Sequence, residues 1–98
     1  MFFLEKYLDP FYYNQLIDSY EERYLDALDS NNVKIVVELF EKYNFYFIPD
    51  IVLSFLEIFE LKEEFIETKL LLLKDKLGND YVNIIGKDLR YLEYVLMN

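Results

Sequence analysis

Hydrophobic positions recur at helical spacing along most of the chain, and they are densest across residues 48–78. Pro49 suits a helix's first turn, and Asp50 follows at the positive end of the helix dipole. Ile51, Val52, Leu53, Phe55, Leu56, Ile58, Phe59 and Leu61 are then apolar nearly all round, and a helix with so little polar face belongs inside a fold. After a polar break at Lys62, Glu63 and Glu64, a second helical pattern runs through Phe65, Ile66, Leu70, Leu71, Leu72, Leu73 and Leu77. It stops at Gly78, a good C-terminal cap. The two patterns predict a helical hairpin at the centre of the fold, with the rest of the chain packed on it.

Residues 1–9 form a short apolar and acidic segment that ends before Pro10 and reads as a short helix or a turn on the core. From Pro10 onward Tyr13, Leu16, Ile17, Tyr20, Tyr24, Ala27 and Leu28 fall within an arc of about 120°, which predicts one long amphipathic helix. Its opposite face carries Asp18, Glu21, Glu22, Asp26 and Asp29 in an arc of roughly 140°, with Leu25 among them. An apolar residue inside an acidic stripe fits a binding surface; it also fits a solvated face with one exposed leucine. Asp29, Ser30, Asn31 and Asn32 are capping and turn residues that end this helix and start the next. Val33, Val36, Val37, Phe40 and Tyr43 then predict a largely buried helix, widened by Ile35 and Leu39.

The aromatic run at residues 43–48 lies between two helical patterns and, with no second strand signal, reads as a loop. It offers either an aromatic anchor for a partner or a connection tucked under the core. A C-terminal helix follows Asn79 and Asp80, with Gly86 as a candidate break. The expected fold is all-α: one domain spanning residues 1–98, with four to six helices around the central hairpin.

Composition sharpens this picture. Ninety-eight residues suffice for one core and not two, and ten Tyr with nine Phe argue for an aromatic-rich folded domain. Nineteen acidic residues against ten basic ones leave a net charge of −9. Such a surface repels phosphate backbones and anionic bilayers, so neither nucleic acid nor membrane is an expected direct partner. The expected partner is a basic protein; the alternative is that acidity keeps an aromatic-rich domain in solution. The absence of Cys and His removes thiolate nucleophiles, disulfides, the usual zinc sites and imidazole chemistry. Carboxylate pairs such as Glu63 with Glu67, or Asp18 with Glu22, stand at helical spacing, as they commonly do on solvated faces. Gly78 and Gly86 lack the context of a phosphate-binding loop. No enzyme, cofactor or metal is therefore expected. Nothing resembles a signal peptide or a membrane span, and the expected compartment is the cytoplasm.

In size, acidity and all-helical pattern the chain resembles bacterial immunity proteins of the colicin and contact-dependent inhibition type. The resemblance is one of general character and contains no motif, so it transfers no site residues. It implies an inhibitor that covers the basic substrate site of a toxin, such as a nuclease, and is monomeric when free. The expected contact surface is Asp18, Glu21, Glu22, Leu25, Asp26 and Asp29, with Tyr43 and Tyr46 as aromatic anchors. Two other readings share these features: a phage-type anti-defence protein or DNA mimic, and a helical assembly module.

Overall fold

A computed structural model describes residues 8–97, except for the side chain of Glu22. The expectation for residues 1–9 therefore falls, apart from Leu8 and Asp9, outside the described residues. Among those described the structure is all-α, with seven α-helices, two 3-10 turns and no strand. The larger number of elements arises because three predicted helices are each divided: the first into two α-helices, the one after Pro49 into an α-helix and a 3-10 turn, and the C-terminal one into two α-helices joined by a 3-10 turn.

The first helix, α1 (Pro10–Ser19), starts where the Asp9 carboxylate accepts a hydrogen bond from the Tyr12 amide at 3.1 Å, with Pro10 in its first turn. It does not run on to Leu28. Tyr20 (φ −129°, ψ 145°) and Glu21 (φ −66°, ψ 140°) are extended, and α2 (Glu22–Ala27) begins on a new axis. Leu25 stands nine residues after Leu16, so on a continuous helix the two would point about 180° apart. The division resolves that conflict: Leu16 and Leu25 are both buried, the latter 3% exposed. Burying a leucine contributes roughly 1.5–3 kcal/mol, enough to outweigh the few backbone bonds that the extended link gives up.

Asp29 caps α3 (Ser30–Lys42) by accepting from the Asn31 and Asn32 amides at 2.9 and 3.3 Å. Val33, Val36, Val37, Leu39 and Phe40 are buried along it. The helix closes in a Schellman turn: Asn44 takes φ 66°, its amide donates to the Glu41 carbonyl, and the Phe45 amide donates to the Phe40 carbonyl, both at 3.0 Å. The hydrophobic contact that accompanies this turn is present as Phe40 against Phe45, with ring centroids 5.1 Å apart.

The predicted central hairpin buries part of its apolar pattern and loses its straight first arm. α4 (Ile48–Ser54) ends at Phe55 (φ −138°, ψ 52°), and a 3-10 turn (Leu56–Glu60) follows. The tighter turn buries Leu56, Ile58 and Phe59 together. Asn32 on α3 secures it, its side-chain amide donating to the carbonyls of Phe59 at 2.8 Å and Leu61 at 2.9 Å. The second arm, α5 (Glu63–Leu77), buries Ile66, Leu70 and Leu73 and ends at Gly78 in the left-handed region (φ 89°). Leu71 and Leu72 of the same apolar run face outward.

The C-terminal region folds as α6 (Tyr81–Lys87), a 3-10 turn (Leu89–Leu92) and α7 (Glu93–Leu96). The break falls at Asp88 and not at Gly86, which lies inside α6. A Cβ at Gly86 would stand 2.9 Å from the Phe47 ring, so its role is to let the 45–47 connection close on α6. α3 packs on α5 and on the 3-10 turn after α4, α1 packs on α4, and α5 also carries α6 and α7.

Candidate partner-binding surface

The division between α1 and α2 rearranges the predicted acidic stripe. Asp18 remains exposed near the end of α1, and Asp26 is exposed on α2. Glu21 sits in the extended link, its carboxylate 3.8 Å from Arg23 with both side chains largely in water, a pair of small energetic weight. The side chain of Glu22 lies outside the described residues. One assignment needs correcting. Leu25 is a core residue and presents no surface to a partner, because the helix break turns it inward. Asp29 spends one carboxylate oxygen on capping α3, so its position follows from helix initiation.

Tyr43 and Tyr46 belong to a different part of the surface from the α1–α2 carboxylates. Both line a groove with Lys74, Asn79 and Tyr81, to which none of those carboxylates contributes. Tyr43 is half-buried and donates from its hydroxyl to Glu67 at 2.6 Å. That hydrogen bond to the carboxylate is the main reason its hydroxyl is held above the usual tyrosine range; burial adds to it. Glu67 moves the other way, held below the usual carboxylate range first by Tyr43 and then by Lys42, whose ammonium lies 3.4 Å away. Tyr46 is 69% exposed, its hydroxyl donating to Asn83 at 2.8 Å and its ring packed edge-on against Phe47. The aromatic run thus divides by alternation: Phe45 and Phe47 are tucked under the core, while Tyr46 points outward.

Packing also assembles acidic surface that the α1–α2 stripe did not include. Between α3 and α5 a groove is lined by Glu38, Glu63, Glu64 and Glu67, with Lys42, Leu39 and Ile35, the last of these 38% exposed. Glu63 and Glu67 were visible as a helical pair, but nothing local placed Glu38 opposite them. On another side Tyr24 donates to Glu60 at 2.8 Å, across 36 residues of sequence, and stacks on Tyr20 with centroids 5.7 Å apart. Among the described residues no three acidic side chains are arranged to hold a metal ion, and no helix is long and apolar enough to cross a membrane.

Charge is divided along the chain more sharply than its total suggests. Residues 1–67 hold fifteen acidic and five basic residues, a net of −10, whereas residues 68–98 hold four acidic and five basic ones, a net of +1. No family model, curated protein or solved structure matches this chain.

Proposed function

We propose that this chain is an inhibitor of the immunity-protein kind: a cytoplasmic protein, monomeric when free, that binds a basic protein partner and blocks it, the partner being a nuclease toxin. The observation that carries the reading is the charge of residues 1–67, a net of −10. Within it, the α3–α5 groove sets four glutamates around an exposed isoleucine, and Asp18, Glu21 and Asp26 add carboxylates on α1 and α2. Opposite charge steers association, and an apolar side chain at the centre of the contact slows dissociation. A nuclease site is built to attract phosphate, so the same field favours an acidic inhibitor.

The experiment is capture of the basic protein encoded beside this gene, at low and at raised salt, followed by an assay of that protein's nuclease activity with and without the chain. Binding that weakens steeply with salt, together with inhibition, is the expected result. Glu38→Lys with Glu64→Lys should lower the affinity at least tenfold, and Asp18→Lys with Asp26→Lys should show whether the contact extends to α1 and α2. Charge reversal without effect on both faces would overturn the reading. Self-association insensitive to salt would instead mark an assembly module, with the outward-facing Leu71 and Leu72 as its first candidates.

A further inference from the structure

The groove beside Tyr43 and Tyr46 has a composition unlike the rest of this acidic molecule. It holds about 550 Å³, within the range of small-ligand sites, and is formed where the end of α3 and the 43–47 connection meet the α5–α6 turn. No carboxylate lines it, although the chain has nineteen. Its walls are phenols, amides and lysines, with Val82 as the one aliphatic side chain in the lining.

Among the described residues, a phenol and a lysine of this groove have no hydrogen-bond or ion-pair partner. Tyr81 is only 5% exposed, its ring edge-on to Phe45, yet its hydroxyl makes no hydrogen bond to any described residue. No side-chain oxygen among the described residues is both fully buried and unpartnered, so that hydroxyl is accessible, and Tyr81 lines this groove. Burial pushes it above the usual tyrosine range, so it remains a protonated donor at neutral pH. Lys74 is the second. Lys69 and Lys76 on the same helix both lie over the Tyr94 ring, at 4.5 and 4.7 Å, and Arg90 forks onto Asp88. Lys42, at the groove's other edge, is paired with Glu67. Lys74 has no ion-pair partner among the described residues.

The geometry points to a small organic oxyanion, a phosphate monoester or a carboxylate, bound in this groove with the Lys74 ammonium as counter-ion and the Tyr81 hydroxyl as donor. The side-chain amides of Asn44 and Asn79 supply further donors at its rim, and the exposed ring of Tyr46 gives the ligand's apolar part a surface to lie on. This site adjoins the acidic groove, with which it shares Lys42 and the Tyr43–Glu67 hydrogen bond, but neither Tyr81 nor Lys74 lines that groove.

The test is an NMR titration of the whole chain with phenyl phosphate and with benzoate, using benzyl alcohol as the neutral control. Saturable shifts centred on Tyr81, Lys74 and Asn79 are expected with one or both anions, and the tighter of the two identifies the anion class. Lys74→Met should weaken binding about tenfold. Tyr81→Phe should weaken it about fivefold with no loss of melting temperature, because the hydroxyl it removes bonds none of the described residues. The inference is overturned if neither anion gives saturable shifts at these residues up to about 10 mM, or if benzyl alcohol binds as tightly. It also fails if Tyr81→Phe lowers the melting temperature while leaving anion binding unchanged, since the hydroxyl would then be structural.

Discussion

Residues 10–27 and residues 48–60 each carry the pattern of one continuous helix, and each is divided at a position that holds neither glycine nor proline. The first is amphipathic and is broken by two extended residues, Tyr20 and Glu21. The second is apolar nearly all round and is broken at Phe55, then wound more tightly. In the first case a straight helix would strand Leu25 in water. In the second, a straight helix would need neighbours on every side, and the bend lets α1 pack on α4 and α3 on the 3-10 turn. The consequences differ. The break after α4 keeps Ile51, Val52, Leu56, Ile58 and Phe59 buried, as their apolar character demands. The break after α1 takes Leu25 out of the predicted stripe and leaves its exposed carboxylates Asp18 and Asp26 on two separate axes.

Substitutions can break or sharpen this contrast, and denaturant unfolding at neutral pH measures each. Leu25→Ala should destabilise the fold by about 2–5 kcal/mol; a cost below about 0.5 kcal/mol would return Leu25 to the surface and restore the continuous stripe. Asn32→Ala should cost about 1–3 kcal/mol by leaving the carbonyls of Phe59 and Leu61 without their donor, which tests what secures the second break. Asp29→Ala should cost about 0.5–2 kcal/mol through its cap, whereas Asp29→Asn, which still caps, should retain most of the stability. Asp18→Lys should change stability by less than about 0.5 kcal/mol, as expected of a residue that only faces solvent.

Tyr24 links the two divided segments and adds a pH arm. Its hydroxyl donates to Glu60, and burial first, then that bond, raises it above the usual tyrosine range. A group whose pKa is raised on folding stabilises the fold fully below the unfolded value, near 10 for tyrosine, and loses that contribution as pH climbs through the folded one. Wild type should therefore exceed Tyr24→Phe by about 1 kcal/mol or less at pH 7, with the gap closing only above about pH 10. The absence of any gap at pH 7 would mean that the bond to Glu60 is absent in solution.

Features governed by neighbouring residues were legible before the fold was seen. Asp29 and Asn32 were recognisable as turn and cap residues, Pro49 as a helix start and Gly78 as a helix stop. The turn at Asn44 was equally local and could have been read, since asparagine tolerates the left-handed conformation and Phe40 and Phe45 stand at the spacing of its hydrophobic contact. Other features had no local signal. Tyr24 meets Glu60, Tyr43 meets Glu67 and Tyr46 meets Asn83 across 36, 24 and 37 residues. Gly86 reads as a helix breaker yet serves as space for Phe47.

By itself the sequence determined an all-α fold, most of its core residues, several of its helix ends and the excess of acid that makes a basic partner the natural expectation. These follow from periodicity and capping, which act within about one helical turn, and from charge, which is a sum over residues. Only the tertiary structure decided where helices break, whether Leu25 is core or contact, that Glu38 faces Glu63 and Glu64 across one groove, and that Tyr81 and Lys74 share another. Burial and juxtaposition depend on elements far apart in the chain competing for the same space, and a pattern read one helix at a time contains no record of that competition.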